Sequence, residues 1–117
     1  MNVQKLTQKS IEAVQAAQQY AVEHGQSEVR QAHLLHGLLI EQDGLIPSML
    51  QGMDVDVKSL RAACDAILEK LPRMSGGSGE AYLSRDLDAA FRSAEATADR
   101  MEDEYVSVEH LFLGLLD

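Results

Sequence analysis

The strongest constraint on this chain is an internal repeat with a spacing of 77 residues. Residues 33–39, HLLHGLL, return as HLFLGLL at residues 110–116. The spacing extends upstream without a gap and aligns five more pairs of identical or similar residues: Thr7 with Ser84, Ala13 with Ala90, Ala17 with Ala94, Ala21 with Ala98 and Val29 with Val106. Such a repeat indicates two copies of one supersecondary unit that pack together.

Each copy begins with a hydroxyl residue, Thr7 or Ser84, whose oxygen can accept the free N–H groups of a first helical turn. Apolar residues follow at steps of three and four, the spacing of one helix face, as far as His24 in the first copy and Met101 in the second. We therefore predict one long helix at the start of each copy.

The two long helices are expected to end differently. Gly25 suits a left-handed C-cap, whereas Glu102 stands at the equivalent position, so we expect another local device there. A short, strongly apolar helix then follows in each copy, at about residues 31–41 and 107–116, the second with Ser107 as its N-cap. Both short helices should be buried.

The segment between the copies predicts two further helices. The first covers about residues 44–51 with Pro47 in its first turn, and the second runs from an Asp56 cap to Leu71. The apolar face predicted for the second consists of Val57, Leu60, Ala63, Cys64, Ile67, Leu68 and Leu71. Pro72 and the glycines and serines after it predict a linker.

The whole chain, residues 1–117, is interpreted as one all-α domain of two pseudo-symmetric helical repeats. Repeat 1 covers about 1–71, the Gly/Ser linker about 72–80 and a partial repeat 2 about 81–117. Because residues 41–71 have no counterpart after the second copy, we expect a truncated second repeat and hence a piece of a longer protein. Some apolar side chains of the last helix should then lack part of their cover: Leu111, Leu115 and Leu116.

Composition and charge argue against several classes of function. The formal net charge is −9 and no Lys/Arg cluster offers a surface to a phosphate backbone, so no nucleic-acid partner is expected. From Ser84 onward, nine acidic residues and three arginines give a net charge of −6. No membrane span or signal peptide is recognisable, so no membrane partner is expected. Cys64 has no partner cysteine, and we expect it to be buried and reduced, as in the cytoplasm.

Motifs along essentially the whole chain resemble the Clp N-terminal repeat domain family. They are Lys5-Leu6-Thr7, His33-Leu34-Leu35, Gly44-Leu45-Ile46-Pro47, Leu71-Pro72 with its Gly/Ser linker, Tyr82-Leu83-Ser84 and the segment DEYVSVEHL at residues 103–111. The linker and the last segment are more similar to the ClpB branch of the family than to the ClpA or ClpC branches.

The resemblance implies the N-terminal substrate-recognition domain of an ATP-dependent protein disaggregase, a cytoplasmic stress or heat-shock chaperone. This segment would bind exposed apolar parts of misfolded or aggregated polypeptides and would hold no cofactor. The full-length protein would be a hexameric AAA+ ATPase with a coiled coil, with ATP and magnesium as cofactors and a DnaK-type chaperone as partner. The alternative is an adaptor- and substrate-docking domain of a ClpA/ClpC-type protease ATPase.

The resemblance also implies candidate substrate-binding residues. Thr7, Asp103 and Glu109 match positions that handle polypeptide in ClpB-like domains. Apolar residues near them are expected to form the floor of a groove: Leu6, Leu83, Tyr105 and Val106. From the residues alone, the three polar ones also suit helix starts or a solvated turn. Ala32 stands where the second copy has Glu109, so the site is expected only once.

No pattern in the chain indicates catalysis or a metal. The Gly-Ser run at residues 76–79 lacks the lysine and the preceding strand of a phosphate loop, and there is no nucleophile elbow. His33 and His36 have the spacing of two ligands on one helix, but no third ligand has a suitable spacing, so we predict no metal. His33 and His110 are equivalent, and we expect each to make the same structural hydrogen bond.

Overall fold

The computed structural model describes residues 3–41, 44–73 and 81–116. These residues form six α-helices: α1 (Gln8–Glu23), α2 (Gln31–Leu39), α3 (Leu45–Gly52), α4 (Val57–Glu69), α5 (Arg85–Arg100) and α6 (Val108–Leu116). A single 3-10 turn (Val3–Lys5) and two short strands, β1 (Glu28–Val29) and β2 (Tyr82–Leu83), complete the described elements. The predicted all-α architecture of four helices followed by two is confirmed, while most of the predicted linker, residues 74–80, lies outside the described residues.

The helix starts follow from the capping residues in the sequence. The Ser10 N–H donates to Thr7 Oγ1 over 3.2 Å at the start of α1, and the Leu87 N–H donates to Ser84 Oγ over 3.1 Å at the start of α5. Asp56 caps α4 in the same way, through the N–H of Ser59. The predicted N-caps Thr7, Ser84 and Asp56 are therefore confirmed.

The ends of α1 and α5 are alike, which the sequence did not indicate. Gly25 has φ = 66° as predicted, but Glu102 adopts the same left-handed conformation with φ = 57°. In both turns the next N–H, of Gln26 or Asp103, binds the carbonyl five residues back, over 2.8 Å and 2.9 Å. The prediction of a different turn at Glu102 was wrong, because these bonds offset the cost of about 1–2 kcal/mol for a side chain in this region.

Within each copy the two helices touch backbone to backbone. A Cβ added to Gly37 of α2 would overlap the carbonyl oxygen of Ala13 in α1. A Cβ added to Gly114 of α6 would overlap the carbonyl oxygen of Ala90 in α5. The other alanines shared by the two copies are also buried: Ala17, Ala21, Ala94 and Ala98. Small residues at these positions let two helices approach more closely than leucines would allow.

The two copies are joined by a reciprocal exchange of backbone hydrogen bonds. The Thr7 N–H donates to the Val106 carbonyl over 3.1 Å, and its repeat equivalent, the Ser84 N–H, donates to the Val29 carbonyl over 2.9 Å. β1 pairs in parallel with β2, and an isolated parallel bridge joins Leu6 to Val106. Because each bridge becomes the other under the 77-residue shift, the copies are related by an approximate two-fold axis. The bridges are too short to leave an alternating pattern in the sequence.

Two of the predicted apolar surfaces are more open than expected. Val57, Cys64 and Leu68 of α4 are buried, but Ala63 is exposed and Ile67 is 55% exposed. The predicted apolar face is therefore only partly covered, because α4 packs on α2 and α3 along one narrow side. Among the described residues, no helix combines the length and apolar character needed to cross a bilayer.

The last helix is buried on one side only. Leu111 is fully buried in the common core, which contradicts the expectation that it lacks cover. Leu115 is half-buried, and Leu116 is 68% exposed. The expectation that both short apolar helices are wholly buried therefore holds only for the sides that face the core.

Alanine at Gly37 or Gly114 is expected to lower the free energy of unfolding by about 1–3 kcal/mol, because the new methyl group overlaps a backbone carbonyl and one helix must move. The matched control is Gly52→Ala at the end of α3, where nothing lies within 4 Å of an added Cβ. Helix propensity predicts a gain of up to about 1 kcal/mol for the control. Urea unfolding followed by circular dichroism measures all three, and equal stability of Gly37→Ala and Gly52→Ala would contradict the close approach.

Candidate functional site

The structure brings Thr7 next to the segment from Asp103 to Glu109. The contact is the bridge between Leu6 and Val106, which places the start of α1 beside the loop that enters α6. We call Thr7 together with residues 103–109 the Thr7–Glu109 patch. The loop is the repeat equivalent of residues 26–32, so the patch lies at one of the two equivalent bridges of the fold.

Thr7 is a half-buried cap whose hydroxyl is already hydrogen-bonded. It donates to Ser10 Oγ over 3.0 Å and accepts the Ser10 N–H over 3.2 Å. Ser10 is fully buried, and its own hydroxyl donates to the Val106 carbonyl over 2.9 Å. Thr7 therefore helps to hold the loop of the patch in place, and only part of its side chain meets solvent.

The two carboxylates of the patch differ in how they are held. Asp103 accepts a hydrogen bond at Oδ2 from His110 Nε2 over 2.9 Å, with its side chain 45% exposed. Glu109 is exposed in the first turn of α6, and no partner of its carboxylate is found within the part of the chain that the structure describes. A carboxylate at this position interacts favourably with the helix dipole.

The apolar residues predicted for the groove floor do not form one exposed surface. Leu6 and Val106 are buried, at 8% and 2% exposure, because they pair with each other inside the fold. Leu83 is 40% exposed but pairs with Val29 at the other bridge. Tyr105, at 51% exposure, is the predicted apolar residue that the patch presents to solvent.

A groove that the sequence did not reveal opens beside the patch between α1, α2 and α3. It has a volume of about 350 Å³. Its apolar lining includes Ala13, Ala16, Leu38, Ile40, Leu45 and Val108. Lys9 lies at the groove and forms ion pairs with Glu12 over 3.6 Å and with Glu41 over 3.7 Å. Apolar residues at the end of α2 and the start of α3 were the sequence signal for this groove. Periodicity alone assigns such residues to the core.

The histidine pair confirms the prediction of one hydrogen bond made twice. His33 Nδ1 accepts the Arg30 N–H over 2.8 Å, and its Nε2 is 2.6 Å from Gln26 Oε1. His110 Nδ1 accepts the Ser107 N–H over 2.9 Å, in the same arrangement. Since Nδ1 accepts in each ring, the proton of the neutral imidazole lies on Nε2, which donates.

Burial shifts the pKa values of several groups between α1, α2 and α4. Burial lowers the pKa of His33 to about 4, with smaller contributions from His36 and Arg30, and it also lowers the pKa of His36. Cys64 is buried as predicted, its thiol donates to the Ala32 carbonyl over 3.2 Å, and burial raises its pKa to about 11. This thiol is not an activated nucleophile. In the described ranges, no three His, Cys, Asp or Glu side chains are placed to hold a metal ion.

Comparisons with a family profile and with curated relatives agree on one family. The profile of the Clp repeat (R) N-terminal domain matches residues 5–117. A curated relative, the chaperone protein ClpB of Bacillus cereus, is 36% identical over 120 residues, which covers 100% of this chain and 14% of the relative. The chain thus spans only a small part of the length of the ClpB relatives that it matches.

Solved structures share the fold. The Hsp104 N-terminal domain from Candida albicans superposes with a TM-score of 0.89 at 18% identity, covering 97% of this chain and 74% of that one. A complex of a ClpV N-domain with a VipB peptide gives a TM-score of 0.80 at 20% identity, covering 97% of this chain and 68% of that one. At these identities the likeness shows a common architecture.

Burial of neutral His33 is expected to make stability depend on pH. Its folded-state pKa of about 4 lies below the ordinary 6.5, so the unfolded chain binds more protons between these pH values. The contribution of this residue is complete above about pH 6.5 and declines toward pH 4, by up to about 3 kcal/mol.

The measurement is the free energy of unfolding at neutral pH and at about pH 4.5, for the parent and for His33→Asn. The variant keeps an acceptor for the Arg30 N–H and no longer titrates. It should be less stable at neutral pH but lose less on acidification. An equal loss in both proteins would show that His33 is protonated in the folded state without penalty.

Proposed function

Because this chain belongs to the Clp repeat N-terminal domain family, we propose that it is the polypeptide-binding domain of a ClpB-type disaggregase. It binds exposed apolar segments of misfolded or aggregated proteins and performs no catalysis itself. In this proposal the remainder of the protein is a cytoplasmic hexameric AAA+ ATPase, which uses ATP and magnesium and works with a DnaK-type chaperone.

One observation carries the proposal: the Thr7–Glu109 patch and the groove adjoin. Thr7 caps α1, and the first turns of α1 line the groove with Lys9 and Glu12. Val108, a residue of the patch, lines the groove from α6. Val108 thus belongs to both the patch and the groove, which supports a shared binding surface.

This surface suits a polypeptide of no fixed sequence. The carboxylates of Asp103 and Glu109 can accept backbone N–H groups, which nearly every residue of an extended chain offers. The groove, at about 350 Å³, has room for apolar side chains of different shapes, and each gains free energy simply by leaving water. Weak and tolerant contacts of this kind let a segment move on to the next step of processing.

The second candidate is docking of a specific adaptor or tagged substrate, as in ClpA/ClpC-type protease ATPases. The structure of a ClpV N-domain with a VipB peptide supports it, because that domain of the same fold holds a defined partner. Direct binding of an unfolded protein without any adaptor separates the two. A suitable unfolded probe is reduced and carboxymethylated lysozyme, which stays unfolded in native buffer.

Leu45→Ser is expected to weaken binding of this probe by about threefold to tenfold, because an apolar residue of the groove wall becomes polar. Ile67→Ser on α4 is the matched control, since Leu45 is 53% exposed and Ile67 is 55% exposed. Fluorescence anisotropy with labelled probe measures both, after melting curves show that both are folded. Equal affinities of the two variants would place the apolar contact elsewhere.

Glu109→Gln is expected to weaken probe binding by about twofold to fivefold at low salt, because a charge-assisted acceptor is lost. The difference from the parent should shrink at high salt. Glu69→Gln, the same change on exposed α4, is the matched control. A parent-like affinity of Glu109→Gln at both salt concentrations would leave Glu109 with only its role at the start of α6.

A further inference from the structure

We infer that His110 is a positioning residue for polypeptide binding, because it orients the Asp103 carboxylate at the surface without neutralising its charge. The inference rests on the proposed function and adds a residue to it that lies behind the patch. His110 is buried, with its side chain 4% exposed, while the Asp103 side chain is 45% exposed. Only the aspartate is therefore accessible to a bound chain.

The ring of His110 is held at both of its nitrogens. Nδ1 accepts the Ser107 N–H over 2.9 Å and lies 3.0 Å from the Ser107 hydroxyl. Nε2 therefore carries the proton and donates to Asp103 Oδ2 over 2.9 Å. A neutral donor leaves the full negative charge on the carboxylate, whereas a cationic partner would cancel it.

Asp103 is restrained from two directions. Its N–H donates to the Ala98 carbonyl over 2.9 Å, as part of the left-handed turn at Glu102. Its Oδ2 is occupied by His110, and Oδ1 accepts no other hydrogen bond within the described residues. One oxygen is thus anchored and the other is left for a donor from outside, so a polypeptide N–H meets an acceptor whose rotamer is already chosen.

The first copy has the equivalent histidine hydrogen bond, but its acceptor lies inside the fold. His33 donates to Gln26 Oε1 over 2.6 Å, but Gln26 is buried and its amide nitrogen donates to the Leu68 carbonyl of α4 over 2.9 Å. Both polar atoms of the Gln26 side chain are therefore hydrogen-bonded inside the fold. In the second copy an exposed carboxylate stands at the position of the amide. The same histidine donor thus lies behind a buried amide in one copy and behind an exposed carboxylate in the other.

Two substitutions separate the functions of the two ring nitrogens. His110→Asn retains an acceptor near Nδ1 for the Ser107 N–H and loses the donor to Asp103. His110→Gln retains a donor near Nε2. We expect His110→Asn to weaken binding of reduced and carboxymethylated lysozyme by about threefold to tenfold, and His110→Gln to recover most of that loss.

The control is His33→Asn, which breaks the equivalent hydrogen bond in the first copy. It should lower the melting temperature and leave the affinity of the folded protein unchanged. Asp103→Glu tests the geometry without touching the buried ring, because it keeps the charge and moves it by one methylene. It should bind as weakly as His110→Asn, and this variant remains informative if His110→Asn does not fold.

A double-mutant cycle decides whether His110 acts through Asp103. In the Asp103→Ala background, adding His110→Asn should cause no further loss of affinity. Additive losses, or parent-like binding by both His110→Asn and Asp103→Glu while Asp103→Ala binds weakly, would overturn the positioning role and leave the proposed function standing. Parent-like binding by Asp103→Ala would remove Asp103 from the proposed surface and overturn the positioning role with it.

Discussion

The contact on which the structure depends is the meeting of two helix backbones at a glycine. In each copy a short apolar helix presses its glycine, Gly37 or Gly114, against a carbonyl of the long helix. This closeness explains a core with little aromatic content, since alanines fill the space between the helices. It also sets how closely each short helix, with its histidine, lies against the long helix.

The second level of organisation is the exchange of backbone bonds between copies. The N–H groups at the starts of α1 and α5 each bind a carbonyl in the loop of the other copy. The fold thereby creates two equivalent bridges, and the residues beside them differ. Gln26 and Ala32 stand in the first copy where Asp103 and Glu109 stand in the second. Gln26 is buried against α4, whereas Asp103 and Glu109 are exposed.

A good part of this was predictable because capping and repetition are local signals. Thr7 and Ser84 were recognisable as helix starts because a hydroxyl residue directly before an apolar helical pattern is typical of an N-cap. The repeat made His33 and His110 equivalent, so one structural hydrogen bond was predicted for both. The turn at Glu102 was not predictable from residue type, because backbone hydrogen bonds there outweigh side-chain preference. The exposure of Ile67 was missed because an apolar pattern does not show how many helices cover it.

The sequence by itself determined the repeat, the six helices, the N-caps of α1, α4 and α5, and the family, since all of these depend on the order of residues along the chain. Tertiary structure decided which of the candidate residues share a surface. Leu6 and Val106 became core because the two copies pair there, while Ile40 and Leu45 remained open to solvent. The groove forms where α1, α2 and α3 meet, and such a space is set by packing between segments that no local pattern connects.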